Sequence, residues 1–373
     1  MRIPFLLWGL SLLCVACTSR TQAPPLDDSP SPIVPDTLNL LFVGDVMQHR
    51  PQTVAARTAN GYDFTACFQE VSHTISKADF AVANLECPLG GKPYTGYPLF
   101  SAPDELALAL KEAGFDILVT ANNHCMDRGE KGMKRTIALI DSLNLMRTGT
   151  YLNEQDQSTH NPLILQKGRM RVALLSYTYG TNGLPLPRSG QVHLLDSTLI
   201  KEHLHLCRSK QVDAILVYLH WGEEYQRLPN RNQRQWADWL LTQGVDHIIG
   251  SHPHVVQPIE MRTDSIRNSK HLIAYSLGNF ISNQPFPHTD GGIMLRMQLI
   301  KNETGLTQPG ECTYSMVWTA RPAQTGQRNY RLLPGDFKTD SLPASAQRAF
   351  DAFTRQTREH LLRHNIGVVE KID

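Results

Sequence analysis

The chain has no surplus of charge of either sign. Thirty-six Lys and Arg against 35 Asp and Glu leave a formal net charge of +1 over 373 residues. No Lys/Arg block interleaves with aromatics, so the electrostatic footprint of nucleic-acid binding is missing and no nucleic-acid partner is expected. Cysteine is sparse. Of the seven, Cys14 and Cys17 lie near the N-terminus, and Cys67, Cys87, Cys125, Cys207 and Cys312 form an odd, scattered set that is no disulfide framework. One bridge stays open, between Cys87 and Cys125, each of which directly follows a polar motif described below. No internal repeat is present, and beyond Val15 no apolar run approaches the ~20 residues that span a bilayer.

What the N-terminus does have is Arg2, an apolar run from Phe5 to Val15, and Ala16-Cys17. That order of charged, apolar and small residues marks an export signal, and a thiol just after the small residue marks lipidation. The expectation is a lipoprotein signal peptide over 1–16 and a membrane anchor at Cys17, although Cys14 stands where Leu is usual. The alternative is a single transmembrane anchor, and both place the globular part outside the cytoplasm. Thr18 rather than Asp after Cys17 favours the outer membrane in a cell with two membranes. A Pro-, Ser- and Asp-rich stretch over 17–37 reads as a tether. The remainder suits one large α/β domain, with its main part over 38–300 and C-terminal strands and a helix over 301–373 completing it.

Short Val-, Ile- and Leu-rich runs alternate with amphipathic stretches, as buried strands joined by helices do. Strands are expected at Leu38 to Val43, Phe80 to Ala83, Ile117 to Thr120, Val172 to Tyr177, Ala214 to Leu219 and Val245 to Ile249. Helices are expected near Pro103 to Ala113, Lys131 to Leu143, Ser197 to Arg208 and Gln233 to Thr242. Further strands follow at Val256 to Met261, His271 to Ser276, Ile293 to Leu299 and Tyr314 to Thr319, then a C-terminal helix over Ala344 to His364. The pattern predicts two mixed sheets packed together with helices outside.

Polar residues of the metal-ligating kinds recur where these strands end, the usual place for ligand sites in open α/β sheets. They are Gly44-Asp45 with His49, Asn84-Leu85-Glu86, Asn122-Asn123-His124 with Asp127, His220-Trp221-Gly222-Glu223-Glu224-Tyr225, and His252-Pro253-His254. Singly each has a bland reading. Gly-Asp is commonly a turn, Asn pairs exploit positive φ, and a His after an apolar strand is often a satisfied core residue. Trp221 and Tyr225 pack more readily than they stack on ligands. Two imidazoles two residues apart in extended chain would project to one side. Together, imidazole, carboxylate and amide oxygen make a mixed N/O set suited to one or two divalent ions, Mn, Zn or Fe. Two such ions could clamp a phosphoryl group and acidify a water, with a metal-free His as proton donor.

In order along the chain, Gly44-Asp45-Val46-Met47, Asn84-Leu85-Glu86, Asn122-Asn123-His124 with Asp127 and Gly129, His220-Trp221-Gly222 with Glu224-Tyr225, Gly250-Ser251-His252-Pro253-His254 with Glu260, and Tyr275-Ser276-Leu277-Gly278-Asn279-Phe280 resemble the CapA/PgsA family of poly-γ-glutamate capsule synthesis proteins. That family is similar in fold to calcineurin-like metallophosphoesterases, a four-layer αββα sandwich. The resemblance implies metal ligation by Asp45, Glu86, Asn123, His220, His252 and His254, and a catalytic acid at His124. Substrate-lining or supporting roles fall to His49, Asn122, Asp127, Glu224, Tyr225, Glu260 and Asn279. The sequence departs from the phosphoesterase pattern in having no Asp-x-His before the first Gly-Asp and in placing Glu86 where those enzymes have an Asp. The implied functions are a metal-dependent envelope hydrolase acting on a phosphoester, or a non-catalytic accessory that binds, exports or anchors an anionic surface polymer alongside its synthesis machinery. A local basic cleft from Arg50, Lys92, Arg128 and Arg227 would be compatible with such a polymer.

Overall fold

The computed structural model describes residues 36–265 and 268–372. The signal peptide and Cys17 lie outside the described residues, as does most of the tether. The tether's expected end at 37 is corrected: strand Asp36–Val46 already includes Asp36 and Thr37, which pair antiparallel with Lys301 and Ile300.

Two mixed sheets form the centre. In the first, Arg331–Pro334, Thr307–Ala320, Gly291–Lys301, Asp36–Val46, Phe80–Leu85, Ile117–Val119 and Met146–Thr148 lie side by side. Asn279–Ile281 also pairs with Asp36–Val46, and Val369–Glu370 with Thr307–Ala320. The second runs Ile259–Asp264, Ser269–Ala274, His247–Ser251, Ala214–His220, Met170–Thr178, Leu163–Lys167. Asp36–Val46 pairs parallel with Phe80–Leu85, and Ala214–His220 parallel with both His247–Ser251 and Met170–Thr178. Parallel central strands put their carboxyl ends at a common rim.

The alternation of side chains explains the layering. Leu38, Leu40 and Phe42 join Leu216 and Tyr218 in the core between the sheets. From the same strands, Leu41 and Val43 face helices on one side, while Ile215, Val217 and Leu219 face helices on the other. A strand buried on both faces reads as a continuous apolar run. Helices Glu105–Glu112 and Gly129–Ser142 cover the first sheet through Leu106, Leu110 and Ile140. Ser197–Ser209 and Arg231–Thr242 cover the second through Ile200, Leu204 and Leu240. The result is the αββα sandwich expected. Each fully buried Leu or Phe stabilises it by roughly 1.5–3 kcal/mol.

The C-terminal helix, Ala344–His364, has the bounds read from the sequence. Its Phe350, Phe353 and Leu361 enter the core between the sheets, so it plugs that layer instead of adding to an outer one. The expected strand at Val245 lies instead at His247–Ser251, because Val245 N–H still donates to Leu240 O in the closing turn of the preceding helix. Val256 makes only an isolated bridge with Leu277, and regular pairing resumes at Ile259, after Pro258, which has no N–H to give.

Cys87 and Cys125 are both free and buried, so the proposed bridge is not formed. They belong to different clusters: Cys87 packs under the helices of the first sheet, its thiol donating to Val46 O at 3.5 Å, and Cys125 packs with Met126, Met133 and Ile137. Burial pushes both thiols up, Cys125 to about 12.

Candidate metal centre

The rim where the parallel strands end gathers six donors from two sheets. Asp45 lies in the first strand, Glu86 and Asn123 follow strands Phe80–Leu85 and Ile117–Val119, His220 ends Ala214–His220, and His252 and His254 follow His247–Ser251. All six are at most 4% exposed. Gly44 is not a turn residue, as a Gly-Asp pair would suggest, but a strand residue at a point of close approach. A Cβ there would sit 1.8 Å from Gly278 O, and Asp45 N–H donates to that oxygen at 3.0 Å. Only glycine lets Asn279 pair in register with Asp45.

Asn84 holds the cluster together. Its Nδ2 donates to Asp45 Oδ1 at 2.8 Å and lies 3.3 Å from His220 Nδ1, and its Oδ1 accepts from Asn122 Nδ2 at 3.1 Å. His220 Nδ1 also meets Ser251 Oγ at 3.1 Å, while its Nε2 meets Asn123 Oδ1 at 2.9 Å and Glu86 Oε1 at 3.3 Å. Asp45 Oδ2 accepts from His252 N–H at 3.3 Å and faces His254 Nδ1 at 3.1 Å. Two sets of donors fall within metal-holding distance of one another: Asp45, Glu86 and His220, and Glu86, His252 and His254. Glu86 is common to both.

His252 and His254 converge, with ring centroids 5.8 Å apart, but not by the route expected. The segment is not extended: their φ angles are +96° and +61°. Such backbone costs of the order of 1–3 kcal/mol per residue and persists where surroundings enforce it. Here Pro253 between them, Asp45 on His252 N–H, and the Tyr225 N–H donated to Pro253 O at 2.8 Å all hold the loop.

Electrostatics favour a cation. Burial, then the charge of Asp45, pushes the Glu86 carboxyl well above its usual range. Burial and neighbouring imidazoles hold His220 well below the usual value and His252 at about 3, so both are neutral, the form that ligates metal. Burial lowers His254, but Glu86, Asp45 and Glu224 outweigh it and raise the group well above 6.5. Burial likewise raises Asp45, yet the His254 hydrogen bond and charge, with Asn84, carry it below the usual carboxylate range. Glu86 Oε1, His252 Nδ1 and His254 Nε2 are buried with no hydrogen-bond partner. Such orphans are costly unless something else satisfies them, and a divalent ion that displaces the His254 proton would satisfy all three.

The supporting residues divide. His124 Nδ1 meets Asp127 Oδ2 at 2.8 Å, and that same oxygen accepts Phe100 N–H at 2.8 Å, while the Phe100 ring stands edge-on to His124. Asn122 shapes the loop, donating to Leu85 O at 2.8 Å and accepting His124 N–H at 3.2 Å. His49 packs on Phe100 and takes Asn283 N–H at Nδ1, and burial lowers it to about 4; it lines the rim. Asn279 donates to Gln284 Oε1 and Thr289 O at 2.9 and 2.8 Å. Tyr225 stands beside His254 and Phe286, and Trp221 is core, stacked on Tyr275. Glu260 is corrected: its carboxylate meets Arg262 at 2.8 Å and Arg234 at 3.6 Å, and orients no imidazole. Of the basic residues, Arg227 donates to Gln356 O in the C-terminal helix.

Sequence reasoning named Asn84 and Ser251 within motifs but gave them no role, and it left out Tyr179 and Asn182. Asn84 had a signal, since alternation puts it on the same face as Glu86. Tyr179 lies over His252 and His220, with centroids at 4.7 and 6.2 Å, and Asn123 Nδ2 donates to Asn182 Oδ1 at 3.3 Å. Both come from the segment after Met170–Thr178, where no periodic pattern points to a site.

The model of the bacterial capsule synthesis protein PGA_cap family matches residues 39–284. The capsule biosynthesis protein CapA of Bacillus anthracis is 30% identical over 286 residues, 73% of this chain and 66% of that protein, just under two thirds of its length. The PGA biosynthesis protein CapA of Bacillus subtilis is 30% identical over 285 residues, 72% of this chain and 70% of that one. Among solved structures, the NAD nucleotidase of Haemophilus influenzae is similar at a TM-score of 0.48 and 10% identity, covering 87% of this chain and 68% of that one. The architecture described above rests on this chain's own sheets.

Proposed function

The chain belongs to the bacterial capsule synthesis protein family, and from that footing we propose that it is a divalent-metal-dependent hydrolase of the cell envelope. Its reaction is cleavage of a phosphoester or related bond during the making of an anionic capsule polymer. A lipid on Cys17 would anchor it, in the outer membrane where there are two membranes, beside the machinery that makes or exports the polymer.

One observation carries this reading: three buried polar atoms, Glu86 Oε1, His252 Nδ1 and His254 Nε2, have no hydrogen-bond partner at a rim shared by two sheets. Asp45, Glu86, Asn123, His220, His252 and His254 would hold one or two ions, with Mn, Zn and Fe the fitting elements. A bound ion supplies Lewis-acid polarisation and a more acidic water. The chain's own residues do the rest. Asn84 fixes Asp45 and His220. Asp127 accepts from His124 Nδ1, which leaves Nε2 as the atom that exchanges a proton with the leaving oxygen. Phe100 and Tyr179 keep water from the imidazoles.

The test uses the purified full chain loaded with Mn(II) or Zn(II) and assayed on phosphomonoesters and diesters beside His124→Ala. Turnover in the wild type, reduced at least 100-fold in the variant, supports the reading. Equal inactivity of the two on every substrate sinks it, and binding of poly-γ-glutamate that persists in chelator would then identify a polymer-binding accessory.

A further inference from the structure

His254 stands between carboxylates on both sides. Its Nδ1 faces Asp45 Oδ2 at 3.1 Å, and because a carboxylate only accepts, Nδ1 carries a proton. Nε2 is then the nitrogen open to a cation, which displaces any proton on it; it is buried and has no hydrogen-bond partner. Two carboxylate oxygens flank it: Glu86 Oε1 at 3.9 Å and Glu224 Oε1 at 3.8 Å. These separations are too long for hydrogen bonds, so a proton on Nε2 reaches neither. Each is a separation that two donors of one cation have, roughly 3 to 4 Å at bond lengths of about 2.1 Å; Glu86, His252 and His254 lie within 4.8 Å of one another, and Glu224 stands outside that set on the His254 side.

Main-chain structure places Glu224 there. Tyr225, the next residue, has φ +65° and donates its N–H to Pro253 O at 2.8 Å, tying the turn to the His252-Pro253-His254 loop. Glu223, one residue earlier, is directed elsewhere and accepts from Asn230 Nδ2 at 3.1 Å. The Glu224 side chain is 43% exposed, so it forms the solvent-side wall of the cluster.

We propose that Glu224 is itself a metal ligand, swinging in to complete with Glu86, His252 and His254 a cation position distinct from the one that Asp45, Glu86, Asn123 and His220 form. This rests on the metal-site reading above. Glu86, within 4 Å of both His220 Nε2 and His254 Nε2, is the carboxylate shared by the two positions. Loss of Glu224 therefore empties one position and leaves the other.

The full chain, stripped with chelator, is titrated with Mn(II) by calorimetry, and the product is examined by elemental analysis and electron paramagnetic resonance. The wild type should take up two equivalents and show the coupled spectrum of two ions sharing a carboxylate. Glu224→Gln should lose one equivalent, or bind it at least tenfold more weakly, and show isolated Mn(II). Glu223→Gln should match the wild type. Two tight, coupled equivalents in Glu224→Gln overturn the assignment, as does a wild type that binds a single ion with the variant unchanged. A wild type that takes up neither Mn(II) nor Zn(II) overturns the metal reading itself, so the two failures are told apart.

Discussion

A single methyl group at position 44 tests how closely the backbone behind Asp45 is packed. In Gly44→Ala the new Cβ falls 1.8 Å from Gly278 O and 3.0 Å from Gly278 C, both backbone atoms that cannot swing aside. Relief requires the first strand and Asn279–Ile281 to part by more than an ångström. That movement breaks the hydrogen bonds Asp45 N–H to Gly278 O, 3.0 Å, and Met47 N–H to Ile281 O, 2.9 Å. Two buried bonds at about 1 kcal/mol each, with about 1–3 kcal/mol of overpacking, give a loss of roughly 3–5 kcal/mol. The assay is urea unfolding of the full chain in chelator, so that metal binding does not mask the change. Gly180→Ala is the matched control, because a Cβ there meets nothing within 4 Å, and its effect should stay within about 0.5 kcal/mol. Equal midpoints for Gly44→Ala and the wild type would refute the close approach and with it the account of how Asp45 is aimed.

Asp127→Asn should lower turnover at least tenfold while metal content stays at the wild-type level, since the side chain touches His124 and not the ion-binding donors; loss of metal in this variant would contradict that. His247 is buried neutral, held at about 3 by burial. Its folded value lies below its unfolded one of about 6.5, so stability is full above pH 6.5 and falls by about 1.4 kcal/mol per pH unit as pH drops towards 4. His247→Asn should flatten the acid limb of a urea-midpoint profile by that slope, and an unchanged limb would remove the group from the account. Cys87 and Cys125 should resist a thiol reagent in the native chain and react fully once it is unfolded; a mass two units low before reduction would restore the bridge.

Much of the candidate site was legible because its polar residues follow strands, and strands were readable from runs such as Ala214 to Leu219. Hydrophobic periodicity fixed the C-terminal helix to the residue. What failed depended on partners distant in sequence. The positive φ angles of His252 and His254 are imposed by Asp45 and by the turn at Tyr225, and the two-residue spacing carried no trace of them. Glu260 looked like a supporting carboxylate by proximity to the His254 motif, but two strand residues on, Arg262 claims it. The segment that delivers Tyr179 ends in a stretch held by Glu130, which accepts N–H donors from Arg188, Ser189 and Gly190, a contact that no local pattern encodes.

The six candidate donors at the rim come in equal shares from the two sheets: Asp45, Glu86 and Asn123 from one, His220, His252 and His254 from the other. Neither sheet owns a complete grip, so the ion would act as a rivet through the sandwich, and a slide of one layer past the other by an ångström would undo it. Affinity for the cation is then set partly by residues that never approach it. Truncating Leu216 or Phe42, deep in the seam between the layers, should loosen the rivet from afar.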